Sequence, residues 1–229
     1  MRTSILWLSI LLIIFIFSSC RNDNVSPIRN VRFDPGLLNP LKVADDAPCE
    51  NYSYQQMAQT RPLGNVYGRK ILVGFREGYT QEQAAAAVAS YGFAEGIGQA
   101  IHTKSAVLYP VKLMEGLNCA QVGEAIKVLK QNSDVTYAAP YFMGGSTSQL
   151  LGISNEFLVT VNDKQNAQEV LERLANATKT EIVASLNEDT FVLRADKNSN
   201  GNALDMANFF QQQSVVKHAE PNFVVSLER

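Results

Sequence analysis

One eight-residue pattern occurs twice in this chain and constrains its fold more than any other feature. The pattern has valine first, alanine fourth, proline sixth and phenylalanine eighth, and it stands at Val135–Phe142 and at Val216–Phe223. Each copy follows a helix-like segment and a short polar turn, as the last strand of a folded unit does. Alternate residues of a strand share one face, and proline has no N–H to give to a neighbouring strand. We therefore predict two units that each close with such a strand, and we expect the proline to end its pairing.

The segment before the first copy predicts the order β-α-β-β-α-β. Thr80 and Gln83 have the spacing of a capping box, in which two side chains satisfy backbone N–H groups at the start of a helix. Asn118 is suited to cap a second helix, because the apolar residues after it recur at the spacing of one helical face. These apolar residues are Val122, Ala125, Ile126 and Leu129. Strand patterns stand at residues 71–75, 94–102, 105–112 and 134–138.

The same order recurs before the second copy. Strand patterns stand at residues 157–161, 181–186, 190–195 and 215–219. Two helical apolar faces lie between them, formed by Ala167, Val170, Leu171, Leu174 and Ala175, and by Ala203, Met206, Ala207 and Phe210. We therefore predict an α+β protein of two tandem ferredoxin-like (βαββαβ) domains, each a four-stranded antiparallel sheet with two helices on one face.

Composition narrows the class of partner and of site. The chain has 229 residues, 46% of them hydrophobic, with a formal net charge of −2 and a pI near 5.8. These values are typical of a globular protein and provide no basic surface for nucleic acid, so no nucleic-acid partner is predicted. The three cysteines and two histidines show no metal-ligand spacing. We predict no metal, no cofactor and no small-molecule substrate.

The N-terminus indicates export. Arg2 precedes Ile5–Phe17, an almost wholly apolar run of 13 residues, which is shorter than the roughly 20 residues of a membrane-spanning helix. Cys20 follows after two serines, an arrangement that resembles the bacterial lipoprotein signal, in which the cysteine is acylated and becomes the new N-terminus. The resemblance implies a signal peptide at residues 1–19, lipid attachment at Cys20, and a membrane-anchored protein of the bacterial cell envelope with its folded part outside the cytoplasm. The alternative is ordinary cleavage near an incidental cysteine.

Segments without a repeating pattern divide the chain into domains. Residues 20–70 hold five of the eight prolines and are predicted to form a Pro-rich tether. We predict a first domain at residues 71–142, a linker at 143–155, and a second domain with a C-terminal tail at 156–229. Cys49 lies in the tether and Cys119 in the first domain. An export compartment permits a disulfide between them, but the sequence leaves the pairing open.

Three segments of the second domain and two of the first carry a further resemblance. They are Phe157–Val161, Gly201–Asn208 and His218–Phe223, and Ile71–Gly78 and Tyr137–Phe142. Their order and repetition resemble the N-terminal propeptides of subtilisin-like serine proteases, although alanine and tyrosine replace the family's Glu and Asn in the first closing strand. The resemblance spans residues 71–225. It implies a protein that assists the folding of such a protease and inhibits it.

In that family the C-terminal tail of the propeptide lies in the substrate cleft of the protease. The resemblance therefore implies that the tail of this chain contacts a subtilisin-like protease and adds to its cleft as an extended strand. The residues expected to make the contact are Glu220, Pro221, Asn222, Phe223, Val224, Val225, Ser226, Leu227, Glu228 and Arg229. Either Leu227 or Arg229 is expected to enter the main specificity pocket.

No catalytic residue is predicted. A subtilisin-like triad needs an Asp, a His and a Ser, and the two histidines, His102 and His218, fall in strand positions outside a His-Gly-Thr setting. The expected function is protease binding in trans, as an inhibitor or folding chaperone, and not an enzymatic one. Two alternatives stay open: a non-inhibitory interaction module of the envelope, and a separately encoded or remnant prodomain that lacks its catalytic domain.

Overall fold

A computed structural model of the chain describes residues 41, 43, 47–56, 59–143 and 149–227, with Leu227 described by its backbone alone. This part is an α+β structure of eleven strands and four helices, which confirms the predicted class. The strands are β1 (Ser53–Gln56), β2 (Gln59–Pro62), β3 (Asn65–Phe75), β4 (Ala94–Ile97), β5 (Ile101–His102), β6 (Val107–Leu113), β7 (Val135–Met143), β8 (Gln149–Val161), β9 (Glu181–Ser185), β10 (Thr190–Arg194) and β11 (Val216–Leu227). The helices are α1 (Gln81–Ala89), α2 (Cys119–Gln131), α3 (Ala167–Thr178) and α4 (Ala203–Gln211).

Local signals set where the helices begin. The Thr80 hydroxyl accepts a hydrogen bond from the Gln83 N–H at 3.3 Å, and the Gln83 side chain accepts one from the Thr80 N–H at 2.9 Å, as predicted for α1. Asn118 makes the same exchange with Gln121 at the start of α2. Asn202 caps α4 in the same way. These caps satisfy N–H groups that have no partner inside the helix, so a short stretch of sequence is enough to place each start.

The strands form a nine-stranded antiparallel sheet and a separate hairpin of β1 with β2. Side by side in the large sheet lie β4, β6, β3, β7, β8, β10 and β9, while β11 pairs with β8 and β5 with β6. We call residues 65–143 the first half and residues 149–227 the second half. The halves meet where β7 pairs with the beginning of β8. The described residues form one compact unit.

Two apolar cores lie on opposite faces of the large sheet. Ile71 and Val73 are fully buried in the first core with α1 and α2, whereas Leu72 is fully buried in the second core with α3 and α4. Since successive residues of a strand point to opposite faces, each helix pair covers a different face. The predicted helical faces supply Val122, Ala125, Ile126 and Leu129 to the first core, and Ala167, Leu171, Ala175, Ala203, Met206, Ala207 and Phe210 to the second. Tyr137 of the first half also lies in the second core, so the halves pack against each other.

Both prolines of the repeated pattern lie inside their strands, so the expectation that they end the pairing is wrong. β7 continues beyond Pro140, and β11 continues beyond Pro221 to Leu227. Each proline adjoins a register shift in the pairing of its strand. A bulge interrupts the regular ladder of hydrogen bonds, and this is where a residue without an N–H is tolerated.

The segments predicted as tether and linker contain strands. The predicted tether, residues 20–70, includes β1, β2 and the beginning of β3 at Asn65. The predicted linker, residues 143–155, contains the beginning of β8, which starts at Gln149. The predicted signal peptide, Cys20 and residues 144–148 lie outside the described residues. The first half therefore begins earlier than predicted, and the second half does too.

The close approach of β7 to β8 depends on a glycine. A Cβ added to Gly152 would lie 2.6 Å from Cε1 of Tyr141, whose side chain is fully buried. We expect Gly152→Ala to lower the free energy of unfolding by about 1 to 3 kcal/mol, because the ring has no room to move away. Urea unfolding followed by circular dichroism measures the change.

Gly123 in α2 is the matched control for this substitution. A Cβ at Gly123 would meet nothing within 4 Å. Gly123→Ala should stabilise the protein by about 0.5 to 1 kcal/mol, because alanine loses less backbone entropy in a helix. Equal effects of the two substitutions would contradict the close contact at Gly152.

Candidate functional site

The predicted contact residues lie on the last strand and beyond it. Residues 220–227 belong to β11, and β8 pairs with this strand as far as Leu227, which stands opposite Gln149. Glu228 and Arg229 lie outside the described residues, as does Cys20. The structure therefore brings eight of the ten residues together on one strand, but it holds them against β8 and not as a free tail.

Some side chains of this strand pack against the protein, and others are exposed to solvent. Phe223 and Val224 are partly buried against the second core, and the Ser226 hydroxyl accepts a hydrogen bond from Lys70 Nζ at 3.3 Å. Val225 is 60% exposed. His218 Nε2 lies 3.2 Å from Glu220 Oε2. Among the described side chains of residues 220–226, Val225 is thus the large apolar one that is exposed.

A segment that the sequence analysis assigned to the tether covers both copies of the repeated pattern. We call residues 49–56 and 59–63, which include the paired strands β1 and β2, the strap. The Tyr52 ring meets the Phe142 ring edge-on with 5.0 Å between centroids, and the Tyr54 ring meets the Phe223 ring in the same way at 5.5 Å. The phenylalanines that end the two copies are therefore packed under tyrosines two residues apart in the strap. This alternation of Tyr, Ser and Tyr was the available sequence signal.

Polar contacts fasten the strap to the second half. The Asn208 side chain on α4 donates from Nδ2 to the Ser53 carbonyl oxygen at 2.8 Å, and its Oδ1 accepts from the Gln55 N–H at 3.2 Å. One side-chain amide thus bonds the strap backbone as a neighbouring strand would. Burial raises the pKa of Tyr52, and the hydrogen bond from its hydroxyl to Glu50 at 2.8 Å raises it further. Tyr52 therefore stays a neutral donor at physiological pH.

A covalent bond fastens the strap to the first half. Cys49 and Cys119 form a disulfide with their Cα atoms 5.5 Å apart, which settles the pairing that the sequence left open. Cys119 is the first residue of α2. Because the disulfide holds one end of the strap and Asn208 holds its middle, the strap bridges the two halves.

The junction between the halves contains buried polar groups. The Tyr137 hydroxyl donates to the Ser154 carbonyl oxygen at 2.6 Å, and burial raises the pKa of Tyr137 well above its usual value. Glu156, also buried, accepts from the backbone N–H of Ser105 at 2.7 Å and from its hydroxyl at 2.8 Å. Asn155 Nδ2 donates to the same hydroxyl at 2.9 Å. These bonds fix the loop before β6 against β8.

A cleft of about 440 Å³ opens beside this junction. His102 on β5 lines it together with Lys104, Arg76 and Arg194. The other histidine, His218, lies on β11 and does not line this cleft. The structure therefore places the two histidines that the sequence analysis considered in different parts of the fold.

The comparisons with known proteins found similarity among solved structures alone. No protein-family model matches the chain, and no curated protein matches it. Among solved structures, the small subunit of acetolactate synthase from Thermotoga maritima is similar over 72% of this chain and 99% of its own, with a TM-score of 0.28 and 11% sequence identity. A similarity of this degree carries no argument about function. In the described part of the chain, none of the helices has the length and apolarity needed to cross a membrane.

Proposed function

We propose that this chain is a non-catalytic, lipid-anchored protein of the bacterial cell envelope that binds a subtilisin-like serine protease in trans, as an inhibitor or folding assistant. The observation that carries the proposal is the repeated element order. The second half runs β-α-β-β-α-β, and the first half has the same order with one extra two-residue strand, β5, between β4 and β6. Each half closes with the strand that holds the repeated pattern. The resemblance to protease propeptides implies this order twice, with the second closing strand leading to the contact residues.

Strand order supports the same interpretation. The neighbours are β7, β3, β6 and β4 in the first half, and β11, β8, β10 and β9 in the second. In both halves the closing strand therefore lies beside the opening strand. The strand before the second helix comes next, and the strand after the first helix lies at the edge. This is the order of a ferredoxin-like unit. We propose that the halves are two such units fused through β7 and β8, and that the lipid anchor is at Cys20.

The contact with the protease is proposed to centre on Val225. Its apolar side chain is exposed, whereas the neighbouring Phe223 and Val224 side chains pack against the second core. A small apolar side chain on an extended strand suits a pocket of a protease cleft, where main-chain hydrogen bonds provide affinity and alternate side chains provide specificity. The rest of the second half then holds this strand in position through its pairing with β8.

Inhibition measurements test the proposal. Residues 21–229 are titrated against several extracytoplasmic subtilisin-like proteases while hydrolysis of a small substrate is followed. We expect tight inhibition, and we expect Val225→Asp to weaken it by roughly tenfold or more, because a carboxylate is costly in an apolar pocket. Val215→Asp is the matched control, since Val215 is also exposed, at 39%, but precedes β11. Equal inhibition by both variants would overturn the role of Val225.

A second candidate function is a non-inhibitory interaction module of the envelope. The pairing of residues 223–227 with β8 favours it, because a strand held by its own sheet is less available to a protease cleft than a free tail. A pull-down with the same proteases separates the two. A complex that leaves hydrolysis unchanged would support the module, whereas a complex that blocks hydrolysis would support the inhibitor. Faster refolding of a denatured protease in the presence of this chain would support the role of folding assistant.

A further inference from the structure

We propose that the Cys49–Cys119 disulfide is a thiol-exchange site that latches the strap, and that a dithiol reductant opens it by attacking Cys49. The inference does not depend on a protease partner. It rests on the exposure of one cysteine, the place of the other at a helix end, and the contacts that the strap makes with both halves.

Exposure decides which sulfur is attacked. Cys49 is exposed and lies between two exposed residues, Pro48 and Glu50, whereas Cys119 is half-buried. An incoming thiolate approaches the sulfur it attacks from the side opposite the disulfide bond, so the accessible sulfur reacts first. A solvent-exposed disulfide is also the type that is exchanged most readily. Cys49 is therefore the sulfur that a reductant reaches.

The helix end decides which sulfur leaves. Cys119 is the first residue of α2, a helix of 13 residues whose preceding residue, Asn118, caps it. The positive end of the helix dipole and the free N–H groups of the first turn stabilise a thiolate there. Cys49 instead has an acidic residue, Glu50, next to it in the chain. A thiolate is therefore better stabilised on Cys119, and the better-stabilised thiolate leaves faster.

The exchange proceeds in two balanced steps. A thiolate of the dithiol attacks Cys49 Sγ, which forms a mixed disulfide and breaks the Sγ–Sγ bond, so that the electron pair passes to Cys119 Sγ. The second thiolate of the reductant then attacks the reductant sulfur that is bound to Cys49. This step forms a disulfide within the reductant and releases Cys49. The reductant becomes a disulfide, and both cysteines are reduced to thiols by two electrons and two protons.

Reduction leaves the strap with non-covalent contacts alone. They include the ring contacts of Tyr52 and Tyr54, the two hydrogen bonds of Asn208 and the burial of Leu63 in the second core. A two-stranded hairpin has little stability of its own, so the strap opens more often once the disulfide is cut. Opening uncovers the rings of Phe142, which lies in the second core, and of Phe223, which packs against it, while the first core stays closed. The redox state thus controls access to the ends of both repeated patterns.

Trapping the first step tests the direction of attack. The full chain carrying Cys20→Ser, in oxidised form, is mixed with glutathione, quenched with acid at early times and mapped by mass spectrometry. We expect glutathione on Cys49 in roughly fivefold excess over Cys119, from exposure and the helix dipole together. Equal amounts, or an excess on Cys119, would overturn the proposed direction.

Hydrogen exchange tests the latch. After reduction with dithiothreitol, we expect the amides of residues 52–56, 60, 61 and 63 to exchange roughly tenfold faster or more, because local opening sets their rate. The amides of α3 are the internal control and should keep their rate, since the strap contacts named above are to β7, β11 and α4 and not to α3. An unchanged strap, or equal acceleration of the strap and α3, would overturn the latch. The double variant Cys49→Ser, Cys119→Ser should already show the fast rate without reductant.

Discussion

Replacing Cys49 and Cys119 together by serine should lower the free energy of unfolding by about 4 kcal/mol, which is a large part of the stability of a domain of this size. The disulfide joins residues 70 positions apart. Removing a cross-link that closes a loop of that length returns much conformational freedom to the unfolded chain, while the folded chain gains little. Urea unfolding of the oxidised protein and of the double variant measures the difference.

Dithiothreitol supplies the control for this prediction. The reductant should shift the urea midpoint of the unaltered protein toward that of the double variant, and it should leave the double variant unchanged. A difference below about 1 kcal/mol between the two proteins would mean that the loop is already restricted in the unfolded state, contrary to the chain-entropy argument.

Leu171→Ala should cost about 2 to 5 kcal/mol of unfolding free energy. Leu171 on α3 is fully buried in the second core, in the cluster that also contains Phe157 and Phe210. Truncation removes apolar contacts and leaves a cavity that strands on one side and helices on the other cannot fill. Because the halves share one sheet and the second core includes Tyr137 of the first half, we expect a single unfolding transition at lower urea.

Leu186 is the matched control for Leu171. It is 48% exposed in the turn after β9, so Leu186→Ala should change the unfolding free energy by no more than about 0.5 kcal/mol. Circular dichroism and tyrosine fluorescence report secondary and tertiary structure separately. Two separate transitions in the Leu171→Ala protein would show that the halves unfold independently, and a loss as small as that of Leu186→Ala would place Leu171 outside the core.

The sequence predicted those elements whose signals are local. The box of Thr80 with Gln83 and the cap at Asn118 each lie within four residues, and the apolar spacing of the helices is set by their own geometry. No distant residue is needed to recognise them. The α+β class and the helix positions followed from such signals.

The strap was missed because distant contacts hold it. β2 is exposed along its whole length and β1 is only partly buried, so neither shows the alternation of a buried strand. What places the strap is the pairing of Tyr54 with Phe223, the amide of Asn208 and the bond to Cys119. Each of these partners is at least 70 residues away along the chain.

The closing strand was misjudged for a different physical reason. Proline lacks an N–H, but the loss of one donor is small beside the pairing that the rest of β11 makes with the long strand β8. Phe223 and Val224 also gain by packing on the second core. A bulge next to Pro221 resolves the conflict, and it depends on the length of β8, which the sequence analysis had divided between linker and strand.

The two attachments of the strap also differ in when their partner residues are synthesised. A chain is made from its N-terminus, and domains assemble in that order during synthesis. Cys49 and Cys119 are both made before any part of the second half, whereas Asn208 and Phe223 belong to the second half and are made later. The growing chain is therefore able to tie the strap to its first half early, and the second half is then completed underneath a cover already in place.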